Sequence, residues 1–214
     1  MRDMPRLSVL KRVVRELYTQ KGKDLVFHGW RHIQFVFKKS QEFAADLGAD
    51  QFLVQSAALL HDINYFTGQN SDPRVGANLR KSILDECGYS EHEINRIEEI
   101  IIESHTAFRN EIISTEGQAL SDADSLFKVL PITPVLLAQK YMIENDVTIE
   151  VLARKIVSEQ NKLMNAGIYF YSPIAIKRYQ EWAKVNLELW NYIIESIDDP
   201  AIKELILNED LDSQ

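Results

Sequence analysis

The chain has 214 residues, of which 45% are hydrophobic and 26% are charged, and its formal net charge at pH 7 is -8. This length allows one larger domain or two small ones and is enough to bury a sizeable core. The acidic balance argues against binding of a nucleic-acid polymer as the main task, because a phosphate backbone is usually met by a basic face.

The chain begins with a charged amphipathic segment. Residues 1–17, MRDMPRLSVLKRVVREL, carry too many charges for a signal peptide, and no run of 18 apolar residues occurs in the chain. Apolar residues recur at helical spacing at Leu7, Leu10, Val14 and Leu17. This spacing predicts a first helix that packs on the core rather than on a membrane. We therefore expect a cytoplasmic protein without membrane contact.

The second predicted helix carries a histidine at the edge of its apolar face. Its apolar stripe includes Ile33, Phe37 and Ala44, and Gly48 is its stop signal. His32 lies one position before this stripe, in WRHIQFVFKKS. Gly29 marks the expected start of the helix, so His32 would lie in its first turn.

The third predicted helix ends in two polar residues. Asp50 is a candidate N-cap for the segment QFLVQSAALLHD, whose apolar run ends at His61 and Asp62. Burying a carboxylate beside an imidazole is costly unless a partner compensates the two groups. The sequence leaves two kinds of partner for these groups: a hydrogen-bonding group in the core, or a bound cation.

Cap signals predict helices through the rest of the chain. Asp72 with the following proline begins one helix, and Gly88 ends it. Ser90 and Glu93 have the spacing of a capping box for the next helix. Further cap residues stand before a proline at the first helical position, at Thr133, Ser172 and Asp199.

The fold class that follows is all-α. Irregular segments are expected only at about 66–72, 106–120 and 164–172, and no alternating β-branched run with hairpin turns competes with the helices. The chain has no repeat, low-complexity block or Gly/Ser-rich linker that would mark a boundary between domains. We therefore expect one helical domain over residues 1–214.

The single cysteine, Cys87, lies just before the glycine that ends its helix. One cysteine excludes an intrachain disulfide and a thiolate-rich zinc site, and it fits a reducing cytoplasm. The position favours a structural thiol over a nucleophile.

A fourth polar residue at an apolar boundary completes a possible ligand set. Asp124 lies in ALSDADSLFKV, between Leu120 and Leu126. Together with His32, His61 and Asp62, it could provide two imidazoles and two carboxylates to one divalent cation. Nitrogen and oxygen ligands without thiolate suit manganese, iron, cobalt or nickel, with zinc or magnesium also compatible. Four protein ligands on an octahedral ion would leave two positions for water and a substrate oxygen.

The order of these motifs resembles the HD-domain superfamily of metal-dependent phosphohydrolases. HGWRHIQFV, AALLHDI, IIIESHT and LSDADSLFKV follow one another over roughly residues 25–130. The resemblance implies that His32, His61, Asp62 and Asp124 are metal ligands. It also implies a helical HD core at about 25–130, with C-terminal helices at about 131–214 packing on it, and hydrolysis of phosphate esters or anhydrides, often of nucleotides.

Departures from the family pattern favour a small single-domain HD hydrolase with one metal. Members with two metals add two histidines between the His-Asp pair and the distal Asp, and this chain offers His92 and His105 there. His92 lies inside the capping box at an exposed helix start, and DPRVGANLRKSIL contains no histidine. Guanosine tetraphosphate hydrolases carry acidic residues after the pair, where this chain has INYF. Whether a second metal binds stays open.

Three residues are candidates for contact with substrate. His105 ends a helix and matches the SH segment of related hydrolases, although a histidine there could simply interact with the helix dipole. His28 stands four residues before His32, a spacing that on one helix would make a two-histidine site, but Gly29 between them marks the expected helix start. His28 is therefore assigned a substrate-facing or supporting role. Lys128 follows Asp124 by one turn and could reach the site or remain on the helix surface.

Aromatic residues cluster in the C-terminal third. Tyr169, Phe170 and Tyr171 precede a cap and could line a pocket for a base, but packing in the core is the simpler interpretation. Tyr179, Trp182 and Trp190 lie on an amphipathic helix and are assigned to the core.

The function predicted from these features is hydrolysis of a small phosphorylated molecule, most simply a nucleotide. Asp62 would orient or deprotonate the attacking water, and His105 would offset charge on the phosphoryl group. The alternative is a non-catalytic HD module that binds a nucleotide or a protein partner, and a homodimer is also compatible with the sequence. Metal-dependent oxygen chemistry is a weaker rival, because it usually needs two irons.

Overall fold

Most of the helices begin and end where local signals in the sequence indicate. A computed structural model describes residues 3–68, 72–110 and 112–207, and all regular structure in those residues is helical. The prediction of an all-α fold is confirmed. The α-helices are α1 (Asp3–Lys21), α2 (Trp30–Leu47), α3 (Gln51–Leu60), α4 (Ala77–Glu86), α5 (Glu91–Ser104), α6 (Thr115–Val129), α7 (Thr133–Leu136), α8 (Ala138–Asn145), α9 (Ile149–Asn165), α10 (Pro173–Asp198) and α11 (Pro200–Leu207). Two 3₁₀ helices span Ile63–Phe66 and Pro73–Gly76.

Most of the predicted caps are confirmed. The side chain of Asp50 accepts hydrogen bonds from two backbone N–H groups of α3, and Ser90 with Glu93 forms the complete capping box of α5. Ser172 caps α10 in the same way. Gly48 ends α2 with φ at 66°, in the left-handed region that glycine adopts without steric cost.

Two local predictions are wrong. Thr133 is the first residue of α7 rather than its cap, because its hydroxyl donates to the carbonyl of Phe127 at 2.7 Å. The irregular segment expected over 106–120 ends at Ser114, which caps α6 through the backbone N–H of Gly117. Part of the expected segment 66–72 lies outside the described residues, at positions 69–71.

Helix α3 is the centre of the fold. Its residues 54–60 are all buried, and it packs against α1, α2, α5 and α6. Small side chains at Ser56, Ala57 and Ala58 let these neighbours approach closely, which a helix of larger residues would prevent. The C-terminal end of α3 therefore meets α2 and α6, and this arrangement brings His61 and Asp62 to both helices.

The C-terminal helices have a smaller core of their own. Ala138, Leu152, Ala153 and Trp190 are its buried members and come from α8, α9 and α10. Helix α10 also contacts α6 and α2, so it joins this smaller core to the main one. In the part of the chain that the structure describes, no helix combines the length and apolarity that crossing a membrane requires.

Cys87 is buried at the end of α4. Burial raises the pKa of its thiol, which disfavours the reactive thiolate. This position agrees with the structural role expected for it.

A buried carboxylate joins α6 to the start of α10. Asp122 is fully buried and accepts hydrogen bonds from the backbone N–H groups of Tyr171 at 2.8 Å and Ser172 at 2.7 Å. We expect Asp122→Ala to lower the free energy of unfolding by about 1–3 kcal/mol, because it leaves these donors without an acceptor. Urea denaturation measures this change. Asp122→Asn retains an acceptor and should lose less, and equal losses in the two variants would contradict the explanation.

Candidate metal centre and adjoining cavity

Four side chains from three helices meet at the end of α3. The Nε2 atoms of His32 and His61 are 3.0 Å apart. Oδ2 of Asp62 lies 3.1 Å from Nε2 of His32 and 3.2 Å from Nε2 of His61. Oδ1 of Asp124 lies 3.6 Å from Nε2 of His32. The structure thus brings together all four residues that the sequence analysis singled out as ligands.

Each of these residues is held by its helix. His32 is buried in the first turn of α2, which begins after Gly29, and its ring packs edge-on against Phe127. His61 and Asp62 lie where α3 ends and the first 3₁₀ helix begins, so the chain turns there and both side chains point to α2. Asp124 lies in the middle of α6.

A backbone carbonyl orients the ring of His61. Nδ1 of His61 lies 2.9 Å from the carbonyl oxygen of Ala58, an acceptor, so Nδ1 carries the proton. In the neutral ring Nε2 then has a free lone pair, and this lone pair faces the other donor atoms. A metal-binding histidine is commonly held by a hydrogen bond of this kind.

Lys128 forms an ion pair with one of the two carboxylate oxygens of Asp124. Its Nζ lies 2.7 Å from Oδ2, and Oδ1 is the oxygen near His32. Asp124 therefore has one oxygen paired with a cationic side chain and one turned to the cluster. Burial would raise the pKa of the Asp124 carboxyl, but Lys128 and the imidazoles outweigh burial and lower it.

The electrostatics favour the metal-binding protonation states of His32 and Asp62 but not of His61. At His61, burial acts to lower the pKa, but the Asp62 carboxylate outweighs burial and raises it, so this ring must lose a proton before it can bind a cation. Burial lowers the pKa of His32, which favours the neutral imidazole. For Asp62, burial acts to raise the pKa, but the neighbouring His61 and His32 outweigh it and hold the pKa well below its usual range. A neutral ring and an ionised carboxylate are the ligand forms of histidine and aspartate.

The donor atoms fit a divalent cation. Two ligands that lie at right angles, each about 2.1 Å from an ion, are about 3.0 Å apart. The three contacts among His32, His61 and Asp62 are 3.0–3.2 Å. Oδ2 of Asp62 is buried and makes no hydrogen bond of good geometry within the described residues. Because a buried anionic oxygen without a donor is costly, a cation at this point would compensate it.

A cavity of about 480 Å³ adjoins the cluster through Lys128, which lines the cavity and contacts Asp124. Its walls come from the segment before α2, the end of α5, α6 and the C-terminal helices. Its aromatic and aliphatic lining residues include Phe27, Tyr141, Leu152, Ile156 and Trp190. Its polar lining residues are His28, Tyr65, His105, Ser125, Lys128, Lys155, Glu159 and Lys162. The two kinds are interspersed, since Nζ of Lys155 lies 2.7 Å from the hydroxyl of Tyr141. An apolar cavity with polar groups in its wall is typical of a small-molecule site.

All three predicted substrate contacts line this cavity. Nδ1 of His105 accepts a hydrogen bond from the backbone N–H of Ala107 at 3.2 Å, so the proton of the neutral ring lies on Nε2. Lys128 is at the wall beside Asp124, and its Nζ also lies 3.5 Å from the hydroxyl of Thr106. His28 also lines the cavity, and its ring stacks on Tyr65 with the ring centroids 4.1 Å apart.

Other candidates lie elsewhere. His92 is exposed at the start of α5 and takes no part in the group formed by His32, His61 and Asp62. Tyr169 and Phe170 are both buried in the main core, and Tyr169 also lines the cavity. The Tyr171 hydroxyl donates to the carbonyl of Asn110. The core interpretation therefore applies to Tyr169 and Phe170, and the cavity interpretation applies to Tyr169.

The aromatic residues of α10 differ in burial. Trp190 is buried and Tyr179 is partly buried, whereas Trp182 is 38% exposed. The assignment of Trp182 to the core is therefore wrong.

The sequence analysis missed the contribution of α8 and α9. Glu144, Lys155, Glu159 and Lys162 lie in or beside the cavity wall, outside the recognised motifs. In α9, the charged residues Lys155, Glu159 and Lys162 recur along one helix face. The same spacing of charged residues is found on an ordinary solvent-exposed helix face. The only available signal was therefore indistinguishable from a surface helix.

Comparisons with known proteins agree with this fold. Residues 29–128 match the family model of the HD domain. The crystal structure of Bacillus subtilis YpgQ in complex with ADP is similar with a TM-score of 0.65 and 19% sequence identity, covering 95% of this chain and 100% of that chain. A second crystal structure of Bacillus subtilis YpgQ has a TM-score of 0.61 and 18% identity, covering 94% and 100%. No curated protein matches the chain in sequence.

Proposed function

This chain belongs to the HD-domain superfamily, and we propose that it is a phosphohydrolase that uses one divalent metal ion. HD domains typically bind divalent metals, and His32, His61 and Asp62 form a group suited to one. The proposed ligands are these three residues and Asp124. Manganese, iron, cobalt and nickel suit the donor set best.

One observation carries the proposal. The candidate metal-ligand atoms lie beside a cavity whose wall provides hydrogen-bond donors. His105 and Lys128 line that cavity, and Lys128 contacts Asp124 directly. A purely structural metal would not need an adjoining cavity with cationic and imidazole groups. A phosphoryl group bound in the cavity would meet these donors.

The proposed chemistry is attack of water on phosphorus, which forms a bond from the water oxygen to phosphorus and breaks the bond from phosphorus to the ester or anhydride oxygen of the leaving group. When bound, the cation supplies Lewis acidity and lowers the pKa of a water molecule. Asp62 orients that water through its carboxylate or takes its proton. His105 donates from Nε2 to a phosphoryl oxygen, and the ammonium group of Lys128 offsets negative charge on the same group.

The proposed substrate is a nucleotide. The cavity offers aromatic and aliphatic side chains to a base and lysines to phosphates, and its volume is about 480 Å³. YpgQ, which has a similar fold, has been crystallised with ADP. This supports a nucleotide as the substrate of the present chain.

Elemental analysis and a phosphate-release screen test the proposal. We expect about one transition-metal ion per chain after purification or loading. Phosphate release from a panel of nucleotides and sugar phosphates should depend on added manganese, cobalt, nickel or magnesium, and a chelator should abolish it. Metal-loaded protein that releases no phosphate from any compound, while still binding ADP, would instead support a non-catalytic nucleotide-binding module.

His105 should affect turnover without affecting metal binding. We expect His105→Ala to lower kcat on the order of 10²-fold, because one donor to developing charge is lost, and to leave the metal content unchanged. Steady-state kinetics and elemental analysis measure the two effects. His92→Ala is the control, since His92 is exposed on the same helix. A loss of metal together with turnover would show that His105 is a metal ligand. No change in kcat or in metal content would show that His105 only interacts with the dipole at the helix end.

A further inference from the structure

A buried glutamate outside the family-matched residues contacts a histidine that lines the cavity. Glu144 lies in α8, beyond the HD match over residues 29–128, and its side chain is only 5% exposed. Its Oε2 accepts the backbone N–H groups of Phe27 at 2.7 Å and of His28 at 3.1 Å. Its Oε1 pairs with Nδ1 of His28. The carboxylate therefore holds both the backbone and the ring of His28.

The ring of His28 is fixed on further sides. It stacks on Tyr65 with an interplanar angle of 17°, and it lies edge-to-face with His32 with the ring centroids 5.9 Å apart. Tyr141, from the same helix as Glu144, packs against it with the centroids 6.0 Å apart. His28 thus lies between the metal cluster and the cavity in one defined orientation.

The carboxylate also decides which ring nitrogen carries a proton. An ionised carboxylate only accepts hydrogen bonds, so Nδ1 of His28 must donate to Glu144. Nε2 makes no hydrogen bond among residues 3–68, 72–110 and 112–207, so it is the ring nitrogen available to a molecule in the cavity. In the neutral ring it is an acceptor.

We propose that Glu144 is a positioning residue that acts through His28 and presents Nε2 of His28 as a hydrogen-bond acceptor to an O–H group of water or substrate beside the metal cluster. The expected effect of Glu144 on turnover rests on the proposed phosphohydrolase function. The expected effect of Glu144 on the orientation of the His28 ring does not. A carboxylate from a C-terminal helix would thereby complete the site of the HD core.

Replacing Glu144 by glutamine separates this role from a packing role. The two backbone N–H groups favour the amide oxygen at the position of Oε2, which places the amide NH₂ against Nδ1 of His28. Nδ1 must then accept, and in the neutral ring the proton moves to Nε2. Glu144→Gln therefore preserves size and the backbone hydrogen bonds, but it converts Nε2 from an acceptor to a donor.

Long-range ¹H–¹⁵N NMR on histidine-labelled protein reads this change directly. In the wild type we expect the Nδ1 resonance of His28 to have the shift of a protonated ring nitrogen, and in Glu144→Gln that of an unprotonated one. Loss of one signal in His28→Ala assigns the resonance. An unprotonated Nδ1 in the wild type, or the same shift in both proteins, would overturn the proposal without any measurement of activity.

Kinetics on the metal-loaded protein then tests the consequence for turnover. We expect Glu144→Gln to lower kcat on the order of 10²-fold or more, with metal content and melting temperature near those of the wild type. Glu181→Gln, the same change on the exposed face of α10, is the matched control and should leave kcat unchanged. A glutamate that only packs or caps would tolerate glutamine, so full activity in Glu144→Gln would overturn the role in turnover.

The double variant distinguishes action through His28 from an independent effect. If Glu144 acts through His28, then His28→Ala with Glu144→Gln should be no slower than His28→Ala alone. Multiplicative losses would show that Glu144 acts separately and would overturn the proposal. If the wild type releases no phosphate from any compound but the NMR shift changes as expected, then the proposed function fails while the positioning of His28 by Glu144 stands.

Discussion

Asp62→Asn should abolish both metal binding and phosphate release. The substitution keeps the size of the side chain but removes the negative charge that faces the Nε2 atoms of His32 and His61 at 3.1 and 3.2 Å. The remaining carboxylate, that of Asp124, is already paired with Lys128. We expect metal affinity to fall by more than about 10²-fold, since even a change to groups around the ligands costs 10- to 100-fold.

Elemental analysis, a metal titration and phosphate release measure the effect of Asp62→Asn, and circular dichroism checks that the helices remain. Asp85→Asn is the control, because Asp85 is exposed on α4, away from the cluster. Wild-type turnover in Asp62→Asn with metal present would show that Asp62 is neither a ligand nor a catalytic residue.

The second large effect concerns stability. Glu98→Ala should lower the free energy of unfolding by about 3–5 kcal/mol, because it leaves a buried guanidinium group without its anion. Arg80 is fully buried and donates to Glu98 through Nε and Nη2, both at 2.6 Å. Nη2 also donates to the carbonyl of Pro73 at 2.6 Å. This network ties α4 and α5 to the second 3₁₀ helix.

Urea denaturation of Glu98→Ala and the wild type measures this loss. Glu181→Ala is the matched control, because Glu181 forms an exposed ion pair with Lys184 on α10 and should leave the urea midpoint nearly unchanged. A loss below about 1 kcal/mol in Glu98→Ala would mean that the guanidinium finds water or another acceptor after the change.

The network around Arg80 also bears on the candidate site. A Cβ atom at Gly76 would lie 2.6 Å from Nη1 of Arg80 and 2.8 Å from the backbone nitrogen of Asn64. The glycine therefore allows the two 3₁₀ helices to pack closely, directly after Asp62 in the chain. The position of Asp62 thus depends on packing from a segment that contains none of the candidate ligands.

Local signals in the sequence determined most of the secondary structure. A cap acts through hydrogen bonds within three residues, so Asp50, Ser90 and Ser172 could be recognised without knowledge of the fold. The local signal failed where the side chain of a predicted cap forms a hydrogen bond outside the helix that it was expected to cap. The hydroxyl of Thr133, which donates to the carbonyl of Phe127, is an example.

The candidate ligands could also be identified from the sequence, because polar residues at the edge of apolar helices need a partner. That these residues bind a metal stays a prediction. Their convergence in space depends on how α2, α3 and α6 pack. The sequence could not show that Lys128 takes one oxygen of Asp124, or that the carbonyl of Ala58 orients His61. Both contacts depend on side-chain directions that helical periodicity does not define.

By itself, the sequence determined the helices, the ligand types and the family resemblance, whereas only the tertiary structure decided the shape of the cavity and the partner of His28. Glu144 contacts His28 across more than a hundred positions of the chain. In α8 and α9, residues that face a cavity follow the same periodicity as residues that face a core or solvent. Because that periodicity describes one helix at a time, it cannot reveal which helices enclose a space between them.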